Sequence, residues 1–234
     1  MWLLPIRFSK HNNQRVKKLI QYIKKTNPDI VTLQEIWQKK HIKSLKKHLK
    51  EYHLTMHKTR FWNKSGLVVL SKEKPVKQEY FAFKKIKERG IYNRIAPKGV
   101  LVVHFKKEIV IYNTHLHHRT DGEKIKVAYG EFNLVKKRIK KSKTSILCGD
   151  LNLTKSQFDK INKGFFSHLD NSHNTFSSKN PYFKKWWERR VPFGNKKIDY
   201  ILIKTEKKFS YNSKTIIKPI LSDHYGIYSE IDFT

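Results

Sequence analysis

Two acidic motifs of this sequence follow directly after apolar runs, where buried strands would end. Glu35 closes the run in DIVTLQEIW, and Asp150 and Asn152 follow the run in SILCGDLN. A carboxylate in such a place suits Mg²⁺, which takes one or two protein carboxylates and keeps several waters. The i, i+2 spacing puts Asp150 and Asn152 on one face, where the acid can activate a water molecule and the amide can donate to an oxyanion. The pattern predicts hydrolysis at a strand end.

Histidines end another apolar run, in EIVIYNTHLHH. Asn113, His115, His117 and His118 stand at its end, and alternation places His115 and His117 on the same face. A single histidine is more often a surface or core residue than a catalyst. We therefore predict that at most one of these histidines is essential and that the others lie around the site.

The last polar residues stand at the beginnings of strands. Asp199 begins the run in KKIDYILIK, and Asp223 and His224 precede the final run, GIYSEI. In an antiparallel pair the beginning of one strand neighbours the end of the next, so all these groups can share one edge of a sheet. An aspartate beside a histidine fixes the imidazole tautomer so that the other nitrogen can accept a proton. Because burying that many separate charges is costly, we predict one shared active site.

The elements that would position these groups follow from hydrophobic periodicity. Three helices are predicted, from the stripes Val16/Leu19/Ile20/Ile23 and Ile42/Leu45/Leu49 and from a third segment over about Gly122–Lys140. Apolar runs of strand length predict seven strands: Ile30–Ile36, Gly66–Ser71, Gly99–Phe105, Ile109–Leu116, Ser145–Leu151, Ile198–Ile203 and Gly226–Ile231. Strands separated by amphipathic helices favour sheets inside and helices outside, in one domain over residues 1–234. A long aromatic loop is predicted over Asn171–Asn195.

Composition limits the partners rather than the reaction. The formal net charge is +32, from 51 Lys and Arg against 19 Asp and Glu. Such a charge attracts nucleic acid or anionic lipid, although lysines that only solvate the surface explain it equally well. No run reaches the length of a membrane span, and MWLLPIRF at the start does not resemble a signal peptide. The one cysteine, Cys148, excludes an internal disulfide and fits a reducing compartment.

Taken in order, six motifs resemble the endonuclease/exonuclease/phosphatase superfamily: LQEIW, SGLVVLS, NTHL, GDLN, IDY and SDH. The resemblance implies an α+β fold like that of deoxyribonuclease I, a four-layer α/β/β/α sandwich with two mainly antiparallel sheets packed face to face. It implies a metal-dependent phosphodiesterase that uses one or two Mg²⁺ ions, or Mn²⁺, and acts as a monomer.

The resemblance also implies roles for individual residues. Glu35 and Asp223 would bind the metal, and Asp223 would also act in catalysis beside His224, the general base. The other catalytic residues it implies are His115 at the phosphate, Asp150 and Asn152 at the nucleophile and transition state, and Asp199, which orients a histidine. Lys98 and Asn113 would bind substrate.

Further segments are similar to neutral sphingomyelinases: APKGVLVVHF, HLHH, CGDLN, the tripeptide Asn180–Tyr182 and PFGNKKIDYILIK. The substrate would then be a choline-type phospholipid at a membrane surface, with Lys98 facing its phosphate. Trp186 and Trp187 would lie at the lipid interface or simply pack in their loop. The charge of +32 favours instead a DNA endonuclease on the same fold.

One departure from the family concerns the start of the chain. Members of the family open with a strand carrying Asn-x-Asn-x-Trp, whose asparagine helps to bind the metal, and here only Met1-Trp2 remains of it. This predicts a gap in one sheet and a missing ligand. Either the true start lies upstream, or the chain is an inactive basic binding module. The location is cytoplasmic for the chain as given, and secreted or membrane-associated if an upstream signal exists.

Overall fold

The computed structural model describes residues 12–58, 63–83, 98–117, 125–139, 143–171, 174–182 and 195–234. Met1–Phe8, His118, Trp186 and Trp187 lie outside the described residues, as do parts of the predicted loop over Asn171–Asn195 and of APKGVLVVHF. The described helices are α1 (Asn12–Thr26), α2 (Lys39–His48), α3 (Ile125–Ile139) and α4 (Lys155–Asn162). The described strands are β1 (Ile30–Leu33), β2 (His53–Lys58), β3 (Asn63–Ser71), β4 (Lys77–Ala82), β5 (Gly99–His104), β6 (Ile109–His115), β7 (Thr144–Asp150), β8 (Ser167–His168), β9 (Asp199–Lys204), β10 (Phe209–Ile216) and β11 (Gly226–Phe233).

The strands form one large sheet and two small ones. The large sheet has the order β4-β5-β6-β7-β9-β8, in which β6 and β7 are parallel and the other pairs are antiparallel. The small sheets are β1-β3-β2 and β10-β11, both antiparallel. All seven predicted strands and all three predicted helices are confirmed in the described residues, whereas β2, β4, β8, β10 and α4 were not predicted.

The layers follow from three hydrophobic clusters. In one, α1 and α2 pack on the outer face of β1-β3-β2 through residues such as Ile23, Leu45 and Leu70. In the next, the inner faces of both small sheets pack on one face of the large sheet. In the last, α3 and α4 cover the other face of the large sheet, where Phe132 and Phe158 are fully buried. The predicted four-layer α/β/β/α sandwich is therefore confirmed.

The second sheet layer consists of two ladders rather than one sheet. Among the described residues, no strand joins β1-β3-β2 to β10-β11. No described helix is long and apolar enough to cross a membrane.

A glycine fixes the spacing of the two central parallel strands. Gly149 in β7 has φ +144°, and a Cβ atom there would lie 1.9 Å from the carbonyl oxygen of Thr114 in β6. Because any side chain would collide with this backbone, Gly149 allows β6 and β7 to end side by side. Gly149 is therefore needed because the backbone of β6 approaches it closely.

Candidate active site

Three of the predicted residues meet at one edge of the large sheet. Asp150 ends β7, Asp199 begins β9, and the antiparallel register places them directly opposite each other. His224 lies beside them, because its Nδ1 atom is 2.9 Å from Oδ2 of Asp199. One ligand atom from each of the three lies within 4.8 Å of the others. We call this group the acidic cluster.

Burial and like charge perturb the carboxyl group of Asp150. Its side chain is 11% exposed and faces a second carboxylate. Burial, and then the charge of Asp199, raise the pKa of Asp150 to about 7, against smaller opposite effects of His224 and Lys98. Such a group exchanges a proton near neutral pH, which is characteristic of functional sites.

The carboxylates also determine the state of His224. Burial alone would lower its pKa, but Asp199, Asp150 and Asp223 together raise the pKa of His224 to about 10. The side chain of Asp199 accepts a hydrogen bond from the N–H at Nδ1. This leaves Nε2 as the atom that exchanges protons with a substrate or water. Without a further positive charge in the cluster, His224 is therefore an imidazolium at neutral pH.

His115 and Asn152 complete the edge on the side of β6. His115 ends β6 beside Asp150, with 3.4 Å between its Nε2 atom and Oδ2 of Asp150. Asn152, with φ +50°, donates its backbone N–H to Oδ1 of Asp150 over 2.8 Å. Its side chain and the ammonium group of Lys98 both donate to the carbonyl oxygen of Leu116, over 3.0 and 3.3 Å. Asp150 therefore lies next to three other predicted residues, which are His115, Asn152 and Asp199.

A short irregular segment within the predicted loop over Asn171–Asn195 holds the pair of Asp199 and His224 in place. The hydroxyl oxygen of Thr175 accepts the backbone N–H of Asp199 over 3.1 Å, and its carbonyl oxygen accepts that of Tyr225 over 2.7 Å. The ring of Phe176 packs edge-on against His224 at 5.1 Å between centroids. Because its bonds are long-range, no local pattern indicates this role of Thr175.

Asp223 lies beside the acidic cluster but is not one of its three members. Its Oδ1 atom accepts the hydroxyl of Ser222 over 2.9 Å and lies 3.7 Å from Nη2 of Arg15 on α1. Arg15 also donates from Nε to the carbonyl oxygen of Leu221 over 2.7 Å and stacks on the ring of Tyr182 at 5.0 Å. Arg15 was not predicted to have a role; it ties α1 to the turn that carries His224.

The tripeptide Asn180–Tyr182, noted in the sequence, belongs to the same network. The side chain of Asn180 donates to the carbonyl oxygen of Ser222 over 2.9 Å and accepts the backbone N–H of Tyr182 over 3.0 Å. Arg15 and Asn180 therefore hold the turn before His224 from two sides.

Asn113, predicted to bind substrate, instead joins the two sheet layers. Its side chain is fully buried and donates to the carbonyl oxygens of Leu33 and Val68 over 3.0 and 2.9 Å. Its Oδ1 atom accepts the side chain of Gln34 over 2.8 Å. Asn113 has no exposed surface, and its hydrogen bonds fix the chain at Leu33 and Gln34, next to Glu35.

Glu35 follows β1 in the left-handed region, with φ +60°, and its side chain is exposed. It is not a member of the acidic cluster. The hydrogen bonds of Asn113 to Leu33 and Gln34 place the end of β1 next to the end of β6. Glu35 therefore belongs to the same edge of the sandwich, which we call the rim.

The donor atoms at the rim fit a hard divalent cation. Mg²⁺ prefers carboxylate oxygens and keeps several waters, and the rim offers an exposed carboxylate at Glu35 and two facing ones at Asp150 and Asp199. A cation would also relieve the repulsion that raises the pKa of Asp150. His224 is a weaker candidate ligand for Mg²⁺ because its Nδ1 atom is already engaged by Asp199.

A second pair of a histidine and an acid lies behind the rim. Glu131 of α3 is 4% exposed; one of its oxygens accepts the backbone N–H of His117 over 3.0 Å and the other pairs with Nδ1 of His117. This pair fixes the chain just after Leu116, whose carbonyl oxygen receives Asn152 and Lys98. His117 was predicted to lie around the site, but Glu131 was not predicted to take part.

Comparison with known proteins agrees with this geometry. The family model described as "Endonuclease/Exonuclease/phosphatase family" matches residues 6–224. Human "Sphingomyelin phosphodiesterase 2" is 24% identical over 98% of this chain, and the chain spans 62% of the length of that relative.

Among solved structures, zebrafish (D. rerio) TDP2 complexed with a single-strand DNA product superposes with a TM-score of 0.73 at 16% identity, over 96% of this chain and 94% of the other. Sphingomyelinase C from Streptomyces griseocarneus superposes with a TM-score of 0.72 at 16% identity, over 96% and 92%. At such identities these similarities describe the fold.

Proposed function

Because the chain belongs to the endonuclease/exonuclease/phosphatase family, we propose that it hydrolyses a choline-type phospholipid by in-line attack of water on the phosphodiester, as a sphingomyelinase-like phospholipase C. Members of this family are hydrolases that act on phosphodiesters. The observation that carries the proposal is the acidic cluster of Asp150, Asp199 and His224 at adjacent strand ends. The lipid substrate is supported by the similarity of almost the whole chain to human sphingomyelin phosphodiesterase 2.

In this mechanism His224 is the proton acceptor. Asp199 fixes its tautomer through the 2.9 Å contact, so that Nε2 takes the proton of the attacking water. Asp150 orients that water, and its own position is fixed by the backbone N–H of Asn152. A divalent cation held by Glu35 and the cluster carboxylates would supply positive charge that stabilises the phosphoryl oxygens and offsets the carboxylates that keep His224 protonated.

The remaining positive and donor groups lie where negative charge would develop. His115 is 3.4 Å from Asp150, and Lys98 reaches the carbonyl oxygen of Leu116 one residue further on. We propose that His115 and Lys98 bind the phosphoryl oxygens. We assign the metal to Glu35 with the cluster carboxylates, one or two Mg²⁺ ions in all.

The test compares wild type with His224→Ala and with His53→Ala, a change at an exposed histidine of β2. Phosphocholine release from sphingomyelin in detergent micelles is measured with Mg²⁺ and after chelation. We expect His224→Ala to lose at least ~10²-fold in kcat, because the general base is removed, and His53→Ala to match wild type. Equal activity of wild type and His224→Ala would refute the catalytic assignment.

A DNA endonuclease is the second candidate, and the net charge of +32 favours it. It would nick supercoiled plasmid when Mg²⁺ is added, with binding that weakens steeply as salt rises. Nicking without phosphocholine release would replace the lipid proposal by this one. No activity of the wild type on either substrate would instead support a basic binding module.

A further inference from the structure

The charged residues on the outer surface of α1 and α2 are all basic. Neither helix contains Asp or Glu, and their apolar residues pack inward on β1-β3-β2. The outward positions carry only exposed lysines among the charged residues: Lys17, Lys18, Lys24, Lys25, Lys39, Lys40, Lys43, Lys46 and Lys47. We call these nine residues the lysine layer.

The lysine layer is not neutralised within the described chain. In the part of the chain that the structure describes, the lysines that pair with an acid are Lys72, Lys77, Lys143, Lys155 and Lys197, and none of them belongs to the lysine layer. Unpaired like charges on one face repel each other and lower stability. An external polyanion would offset that repulsion.

Both helices begin at the rim. Arg15, in the first turn of α1, contacts Leu221 and Asp223 beside His224. Strand β1 ends next to Asn113, and α2 begins at Lys39, shortly after Glu35. The N-terminal ends of both helices are therefore near the active site, and their C-terminal ends point away from it.

This orientation separates eight members of the lysine layer into two matched groups and leaves Lys43 between them. The proximal group is Lys17, Lys18, Lys39 and Lys40, and the distal group is Lys24, Lys25, Lys46 and Lys47. Each distal lysine lies seven residues beyond a proximal one, which is about 10 Å along the helix. That is close to the Debye length of about 10 Å at 0.1 M salt, so a charged surface at the rim acts mainly on the proximal group.

We propose that the proximal group docks the rim against an anionic lipid surface, so that substrate is taken from a membrane. The proposal rests on the phospholipase function above. Lysine favours such a surface because it is a compact, hydrated point charge that needs no fixed partner geometry. Single-stranded nucleic acid is less suited to this face, because the described parts of α1 and α2 carry no exposed Phe, Tyr or Trp for base stacking.

The test uses two variants with the same change in charge. One replaces the four proximal lysines by Gln, the other the four distal lysines by Gln, and Gln preserves helix propensity. Partitioning onto phosphatidylcholine vesicles with and without phosphatidylserine is measured by sedimentation at low and high salt. At roughly fivefold per lysine at the surface, the four substitutions of the proximal variant should weaken vesicle binding about 600-fold, and those of the distal variant at most about 10-fold.

Equal losses in the two variants would overturn the proposal, and so would tighter binding of wild type to a single-stranded oligonucleotide than to anionic vesicles. Hydrolysis of sphingomyelin in neutral detergent micelles separates this proposal from the enzymatic one. Both variants are expected to keep wild-type activity there. If wild type itself is inactive in micelles while the proximal variant still loses vesicle binding, the phospholipase function fails and the docking surface stands.

Discussion

Replacing Asn113 by Leu tests whether this residue joins the sheets or binds substrate. The change keeps the approximate shape but removes two donors to buried carbonyl oxygens, of Leu33 and Val68, and an acceptor for Gln34. Each lost hydrogen bond costs about 1 kcal/mol, and a buried group left without its partner costs ~1–3 kcal/mol. We expect Asn113→Leu to lower the free energy of unfolding by about 3–4 kcal/mol.

The assay is urea unfolding with linear extrapolation. The m value should stay unchanged, because the substitution does not alter the surface area that is exposed on unfolding. Thr114→Val is the matched control, since the neighbouring buried hydroxyl makes one bond, over 2.9 Å to Gly99 within the large sheet. We expect about 1 kcal/mol for the control. Asn113→Leu could instead lower the free energy of unfolding by less than 1 kcal/mol and lower kcat/KM of the folded protein by ~10²-fold. That result would refute a structural role and show that Asn113 binds substrate.

Three further changes test the network around the rim and the core. Arg15→Lys keeps the charge but loses the hydrogen bond from Nε to the carbonyl oxygen of Leu221. In steady-state assays kcat should therefore fall about tenfold, while the melting temperature stays unchanged. An unchanged kcat would exclude a positioning role for Arg15. Lys197→Met removes the ammonium partner of the fully buried carboxylate of Asp170 and should cost about 3–5 kcal/mol in urea unfolding. A cost below 1 kcal/mol would contradict the ion pair. Burial lowers the pKa of His168 in the fold, so the unfolded chain takes up its proton first and wild type should lose stability as pH falls below 6.5. His168→Gln should lose less over the same range, and parallel melting curves would count against this.

The four strands that were not predicted share their place in the sheets, although the predicted strands β1 and β11 also lie at an edge or in the two-stranded ladder. Strands β2, β4, β8 and β10 all lie at a sheet edge or in the two-stranded ladder. Edge strands carry charged and polar residues that discourage pairing with other chains, so HLTMHK and KQEYFA lack an apolar run. The central strands, buried on both faces, give the continuous runs from which they were predicted.

The helix α4 was missed although the sequence contains a signal for it. Thr154 and Gln157 form a capping box, in which each side chain bonds the backbone of the other. The motif Thr-x-x-Gln at the start of a helix is readable without a structure, but the segment of 8 residues is too short for clear periodicity.

The site was predictable in its strand ends and not in its connections. Asp150, Asp199 and His224 stand at the ends of apolar runs. The antiparallel register of β7 and β9 brings them together, as expected where the end of one strand neighbours the beginning of the next. The roles of Arg15 and Thr175 depend on contacts with residues far along the chain. Such long-range contacts leave no local spacing to recognise.

The facing carboxylates of Asp150 and Asp199 are the strongest physical argument for a function at the rim. Like charges directly opposite each other on neighbouring strands are destabilising, and burial makes the repulsion larger. Nothing in the packing of β7 and β9 requires two acids there, because the rest of that register is Tyr, Ile, Leu and small residues, with one charged residue, Lys204, at the far end. The positive charge of His224 offsets only part of the repulsion, since the pKa of Asp150 is still raised to about 7. A divalent cation bound by the two carboxylates, or a proton transferred to one of them, would remove this repulsion. The cluster is therefore best explained by a role in chemistry rather than in stability.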